Sequence, residues 1–228
     1  GYIYKGLKPV YWCPNDETAL AEAEIEYQDD PCTTVYVKFP MHDDLGKLSH
    51  VDHSKLYFLI WTTTIWTLPG NLGISLHPRE SYALVKADNG EIYIVAEALA
   101  EKVMRVGGIG KYEILETHPG SFFENMLADH PFLPKTSRLL NAEYVTMDSG
   151  TGCVHTAPGF GADDYQTCRR YGMDMIVPVD DQGRHTDYAG KYAGMKTEES
   201  NPVILEDMRE SGMLFASEDI VHSYPHCW

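Results

Sequence analysis

The sequence is short of positive charge and of paired cysteines. Lysine and arginine number 18 against 34 aspartates and glutamates, a net charge of −16 over 228 residues. A broad grip on a phosphate backbone needs clustered Lys and Arg, so strong sequence-independent binding of nucleic acid by this chain alone is excluded. The five cysteines, Cys13, Cys32, Cys153, Cys168 and Cys227, are odd in number, scattered, and contain no C-x-x-C pair. That argues against a disulfide framework and fits a reducing cytoplasm. No apolar run approaches the length of a bilayer span, and the start lacks the charged-then-apolar layout of a signal peptide. Internal repeats and low-complexity segments are also lacking.

Phosphate-loop motifs are missing too. There is no G-x-x-x-x-G-K-[ST] stretch. Gly159-Phe160-Gly161 precedes a predicted helix, but the third glycine of a dinucleotide fingerprint falls on Asp164, whose carboxylate would repel pyrophosphate. His222 and His226 have H-x-x-x-H spacing. Pro225 between them breaks the helix that would put both on one face, so no metal site is predicted. His42, His50 and His53 fall in a polar stretch and are read as solvated.

Strand patterns dominate what is present. Thr18–Tyr27 has helical composition, yet Ala21, Ala23, Ile25 and Tyr27 alternate with Glu22, Glu24 and Glu26, which predicts a strand. Further strands are expected over 33–39, 56–60, 112–116, 141–147, 153–156, 176–179 and 215–222. Asp43–Lys47 reads as a polar loop. Asn89-Gly90 between 82–86 and 91–95 is a hairpin signal. Helices are expected over 96–106 (stopped by Gly107-Gly108), 162–171 (stopped by Gly172), and from Asn201-Pro202 to Ser211. Pro119, Pro131 and Pro134 mark a loop-rich middle. Without a βαβ rhythm, the expected fold class is α+β, a β-barrel-like domain rather than a doubly wound sheet.

The stretch Trp61-Thr62-Thr63-Thr64-Ile65-Trp66-Thr67-Leu68-Pro69-Gly70-Asn71 carries the most information. It follows the apolar run Leu56–Ile60. Strand alternation would point Thr62 and Thr64 one way and Thr63 the other, beside a Pro-Gly-Asn turn. Hydroxyls and backbone amides at a strand end suit a ribose or an ester. A β-prone threonine run at a sheet edge is the plainer reading. A second stretch runs Gly150-Thr151-Gly152-Cys153-Val154-His155-Thr156-Ala157-Pro158-Gly159-Phe160-Gly161-Ala162-Asp163-Asp164-Tyr165. Asp163 and Asp164 fall in a helix's first turn, where negative charge is favoured. A lone histidine in a strand, such as His155, is more often packed than catalytic.

Together the two stretches resemble the editing domain of isoleucyl-tRNA synthetases, the module inserted into their catalytic fold. Flanking pieces agree: Gly6–Trp12, Thr18–Tyr27, and the end segment His222-Ser223-Tyr224-Pro225-His226-Cys227-Trp228. The resemblance covers essentially all of residues 1–228 and implies a single editing domain whose ends lead into an absent catalytic domain. No His-Ile-Gly-His or Lys-Met-Ser-Lys-Ser stretch is present, so amino-acid activation is not expected.

The implied reaction is hydrolysis of mischarged valyl-tRNA(Ile), and of valyl-adenylate as a further substrate, with isoleucyl-tRNA(Ile) spared. By resemblance Thr62, Thr63, Thr64 and Asn71 hold the terminal adenosine and the ester, and Trp61 walls the pocket. His155 limits side-chain size, and Asp164 holds the α-amino group. For Asp163 the dipole role suffices. Thr64, His155 and Asp164 are the expected catalytic residues, with no cofactor and no evident general base. The implied partners are the 3′ end of the tRNA and the rest of the synthetase, in a cytoplasmic monomer with no membrane contact.

Three positions bear on the type. Ile65 stands where the family usually has proline, and Phe160 where it often has histidine. Thr64 stands where the valyl and leucyl enzymes carry arginine, which favours the isoleucyl type. Two other classes remain: a non-catalytic module for an aminoacyl-adenosine end, and a hydrolase in which Cys153 attacks and His155 is its base.

Overall fold

The computed structural model describes residues 2–3 and 6–227. Trp228, the last residue of the C-terminal motif, lies outside the described residues. Among the described residues twelve strands follow in order: β1 (Trp12–Cys13), β2 (Thr18–Ala19), β3 (Ile25–Asp43), β4 (Leu56–Thr62), β5 (Gly73–Leu76), β6 (Ser81–Ala87), β7 (Ile92–Ala96), β8 (Tyr112–Pro119), β9 (Leu127–Asp129), β10 (Thr136–Asn141), β11 (Cys153–Thr156) and β12 (Leu214–Cys227). Three α-helices, α1 (Ala100–Val106), α2 (Ala162–Arg170) and α3 (Thr197–Glu210), and several 3-10 turns connect them. Among the described residues no helix is long and apolar enough to cross a membrane.

The expected mixed, sheet-dominated, barrel-like architecture is what forms. Ten strands make one sheet in the order β12-β3-β9-β10-β5-β11-β4-β7-β6-β8. The further pairing of β3 with β4 closes β3-β9-β10-β5-β11-β4 into a ring. Closure removes free edges from the middle of the sheet. Inside the ring, Val35, Val37, Phe39, Phe58, Ile60, Ile74 and Leu139 are fully buried or nearly so. Each such side chain contributes about 1.5–3 kcal/mol on leaving water. β3 and β12 extend beyond the ring as a long antiparallel ribbon, paired from Leu214↔Val37 out to Cys227↔Ile25.

Several expectations need correction. The strand over 18–27 is broken, because the Glu24 carboxylate accepts the Ala21 N–H at 2.7 Å and closes a 3-10 turn over Glu22–Glu24. The strand placed over 141–147 lies earlier, at Thr136–Asn141, inside the middle that the prolines made look loop-rich. β9 falls in the same stretch. Ile176–Val179 is not a strand; it contributes a lone bridge, Val179↔His185. α3 begins at Thr197, so Pro202 sits in its second turn rather than at its start. There Glu199 caps the Lys196 N–H at 3.3 Å, a start signal that competes with the proline rule. The Asn89-Gly90 hairpin, β8, β11, α2 and the ribbon strand β12 lie where expected, with Gly90 at φ +83° in the tight turn.

Candidate active site

The ring places β4 and β11 side by side, with Trp61 paired to Val154. β11 runs antiparallel to β5 on its other side, with His155 opposite Ile74. The two sequence stretches singled out above thus converge where β4 ends and β11 runs. A cavity of about 280 Å³ opens there. Trp61, Thr62, Thr63, Tyr144 and His155 line it, together with the Ser149–Val154 segment.

The threonine run does not continue as a strand. β4 stops at Thr62, and Thr64 begins a 3-10 helix over Ile65–Gly70. The turn is closed by the Thr62 hydroxyl, which accepts the Thr64 N–H at 3.1 Å. Alternation is therefore lost, and the Thr63 and Thr64 hydroxyls lie 3.4 Å apart instead of on opposite faces. Tyr224, from the distant β12, donates to the Thr63 carbonyl at 2.7 Å and pins the bend. The expected Pro-Gly-Asn turn is the end of this 3-10 helix, whose buried Leu68, Pro69 and Gly70 pack it into the core. Phe160 packs edge-on against Trp66 at 4.9 Å, and a Cβ on Gly70 would come within 2.8 Å of its ring.

His155 is buried and fully committed. Its Nδ1 accepts from Asn71 Nδ2 at 2.8 Å. Nε2 then carries the proton and donates to the Thr67 hydroxyl at 3.1 Å, which itself donates to the Thr64 carbonyl at 2.8 Å. Burial, reinforced by the nearby Lys135 charge, pushes the imidazole pKa down to about 3. The ring is therefore neutral and fixed in one tautomer, a wall rather than a proton carrier.

Asn71 stands behind it, not in the cavity. Its side chain is 0% exposed. Nδ2 also donates to the Gly73 carbonyl at 2.8 Å, and Oδ1 accepts from Ser137 at 2.5 Å. Asn71, which the resemblance set against the ligand, is hydrogen-bonded to His155. Lys135 holds the same turn, donating to the Pro69 and Asn71 carbonyls at 2.6 and 2.7 Å. Burial lowers its pKa to about 8. Neighbouring His130 donates from Nε2 to the Leu68 carbonyl at 2.9 Å, and burial pushes its pKa down to about 3.

Asp164 lies in the first turn of α2. Oδ2 accepts the Ala157 N–H at 2.9 Å, and Oδ1 accepts from the Tyr144 hydroxyl at 3.3 Å. Burial raises its pKa, against the lowering effect of those two donors. Tyr144, which lines the cavity, links Asp164 to it through its hydroxyl.

Cys153 borders the cavity, but its thiol is turned to β7. It is 2% exposed, its thiol donates toward the Ile94 carbonyl at 3.7 Å, and burial holds its pKa above the usual thiol range. Both nitrogens of His155 have other partners, so the Cys153–His155 pair expected in the thiol alternative does not form.

Of the sequence-predicted residues, Trp61, Thr62, Thr63 and His155 meet the cavity; Thr64 is one hydroxyl removed, Asp164 is joined to it through Tyr144, and Asn71 lies behind His155. Sequence reasoning missed Tyr144, Thr67, Lys135 and Ser137. Thr67 had one available signal, its i+3 spacing from Thr64. Away from this cavity, donor atoms of Cys13, Asp16 and Cys227 lie within 4.8 Å of one another, close enough to share a metal ion. That grouping unites the two ends of the chain and had no sequence signature.

Comparison with known proteins supplies the context. The family model for tRNA synthetases class I (I, L, M and V) matches residues 1–149. An isoleucine–tRNA ligase of Caldanaerobacter subterraneus is 51% identical over the whole of this chain and 25% of its own length. One from Petrotoga mobilis is 49% identical over the whole chain and 24% of its length. The chain thus spans about a quarter of these relatives. Among solved structures, the P. knowlesi cytosolic leucyl-tRNA synthetase editing domain aligns with 86% of this chain and 98% of its own, at TM-score 0.64 and 13% identity. The P. falciparum counterpart covers 82% and 99%, at TM-score 0.61 and 11% identity. At such identities the likeness is one of fold.

Proposed function

The chain belongs to the class I tRNA synthetases of the isoleucine, leucine, methionine and valine group, with the fold of their inserted editing domains, and from that premise we propose that residues 1–228 form one editing domain that hydrolyses valyl-tRNA(Ile) and spares isoleucyl-tRNA(Ile). The single observation that carries this reading is the neutral, doubly hydrogen-bonded His155 at the wall of a cavity bordered by threonine hydroxyls. A rigid neutral ring is suited to a size limit. It cannot give way to an extra methylene without breaking its bonds to Asn71 and Thr67. One methylene is worth only about 1–3 kcal/mol in an apolar pocket, and the isoleucine enzymes are the standard illustration of that limit, so it is a premise and not a result. A second site that admits valine and rejects isoleucine by volume supplies the missing discrimination.

Placement and resemblance together support the following roles. Thr62, Thr63 and Thr64 offer hydroxyls and backbone amides to the ribose and to the oxyanion of the tetrahedral intermediate. Trp61 walls the cavity. Asp164 takes the α-ammonium, which needs a charged partner once it leaves water. Asn71 acts through His155. His155 is not assigned proton transfer, since both nitrogens are engaged. The nucleophile is a water placed in the cavity; as it attacks the ester carbonyl, the substrate's neighbouring ribose hydroxyl takes its proton and passes its own to the ester oxygen that leaves. No cofactor enters the proposal.

The net charge of −16 means that tRNA affinity rests mainly on the rest of the synthetase, in the cytoplasm. The direct test is deacylation of valyl- and isoleucyl-tRNA(Ile) by this chain at high protein concentration and low salt. Selective loss of valine supports the reading. Binding of an aminoacyl-adenosine end without turnover would favour the non-catalytic module instead.

A further inference from the structure

Tyr144 is absent from every role assigned above, yet it borders the cavity and touches the residue proposed to hold the ammonium. It follows β10 on the segment that leaves Asn141, and its ring lines the cavity beside His155. Its hydroxyl lies 3.3 Å from Asp164 Oδ1. Behind it stand the hydroxyls of Ser75 on β5 and Thr156 on β11, 2.7 Å from each other and both within hydrogen-bonding reach of the phenol oxygen. The Thr156 hydroxyl donates to the Val154 carbonyl and shares the Ser75 proton, and the phenol's own proton goes to Asp164 Oδ1.

We propose that Tyr144 is a positioning residue for ammonium recognition: its phenol and the Ala157 N–H fix the plane of the Asp164 carboxylate, so that the free lone pairs meet the substrate's α-amino group. The inference rests on the editing reading and deepens it. A carboxylate offers about four lone-pair sites, and two are taken by donors from different elements, one on each oxygen. Two donors on separate oxygens remove rotation about the last side-chain bond, which an exposed aspartate in a helix's first turn would keep. Burial holds the phenol protonated well above its usual range, so it remains a donor at any pH of interest.

The experiment measures binding of two non-hydrolysable ligands by calorimetry: 3′-amino-3′-deoxyadenosine acylated with valine, and the same nucleoside acylated with 3-methylbutanoic acid, which lacks the α-amine. Wild type, Tyr144→Phe, Asp164→Asn and the double variant are compared. Tyr144→Phe should weaken the amine ligand about 3- to 10-fold, the range of an ordinary net hydrogen bond, as suits a contact of 3.3 Å, and change the des-amino ligand less than twofold. The double variant should be no worse than Asp164→Asn, because coupled residues are non-additive. Both ligands sample the same folded fraction, so partial unfolding cancels in their ratio. Equal weakening of both ligands, an unchanged ratio, or additive effects would overturn the proposal. If wild type itself shows no preference for the amine ligand, the Asp164 anchor fails first; if wild type and Asp164→Asn behave as expected and Tyr144→Phe does not, only Tyr144's role is lost.

Discussion

Acidification should loosen this domain well before its carboxylates protonate, and the effect isolates His155. Folding pushes the pKa of His155 and of His130 down to about 3 in each case. An unfolded histidine titrates near 6.5. Between those values the unfolded chain holds protons that the folded chain cannot, so stability falls as pH drops through 6.5 and keeps falling towards 3. At pH 5.0 each histidine costs about 2 kcal/mol relative to pH 7.5, from 1.5 pH steps at ~1.36 kcal/mol each. Two give about 4 kcal/mol, a large share of an ordinary stability of ~5–15 kcal/mol. His185, lowered by burial as well, adds in the same direction. Asp164, raised by burial, works against it. Asp44 and Asp207 have lowered pKa values and lose their contribution only below the usual carboxylate range. Urea midpoints at pH 7.5 and 5.0 measure the drop, which corresponds to roughly 8–16 °C in Tm for a domain of this size. His155→Gln keeps one donor and one acceptor for Thr67 and Asn71 but cannot titrate. In that variant the drop should shrink by about 2 kcal/mol. An unchanged drop would mean that His155 is not held neutral, and the argument for a rigid wall would fall with it.

Asp164→Ala should abolish deacylation while the fold persists, checked by far-UV circular dichroism and a tRNA acid-precipitation assay; retained activity would remove the ammonium anchor. Cys153→Ala should leave turnover unchanged and cost about 1–2 kcal/mol from the lost sulfur in a closed core, since the thiol is packed in the core and bonded to the Ile94 carbonyl; loss of turnover in a folded variant would instead support the thiol mechanism. Asn71→Ala should strip three hydrogen bonds, strand the Gly73 carbonyl and His155 Nδ1, and destabilise by about 2–4 kcal/mol. It should also begin to admit isoleucine, read from the ratio of the two deacylation rates. Gly152→Ala should express poorly or melt early, because Gly152 has φ +77° and a Cβ there would lie 2.4 Å from the Ala96 Cβ.

Strand signals were legible wherever local pattern decided the outcome. The apolar run of β4, the Asn-Gly hairpin and the helix stopped by Gly172 are all local facts, and they survive folding. Misreadings arose where a single side-chain contact overrode pattern. Glu24 reaching back to Ala21 turns an alternating segment into a 3-10 turn, and the Thr62 hydroxyl bends the threonine run out of the sheet. β10 is hidden just after Pro131 and Pro134, although it lies at the heart of the ring, paired parallel to β5. Its pairing is non-local, and no short window of sequence contains it. The same holds for the site. Trp61, the threonines and His155 announced themselves by motif. Tyr144, Ser137 and Lys135 act through residues distant in sequence, such as the 66-residue separation of Ser137 from Asn71. Nothing in their neighbourhoods marks them.

The measurement that bears most directly on the central claim is the pair of deacylation rates, valyl-tRNA(Ile) against isoleucyl-tRNA(Ile), with this chain in excess at low salt. Size exclusion at a wall held by Asn71 and Thr67 predicts that the valine ester is cleaved and the isoleucine ester survives, by a factor of ten or more in rate. Equal cleavage of both esters would contradict the placement of His155 as the sieve, and cleavage of neither would contradict the claim that this domain carries the hydrolytic site.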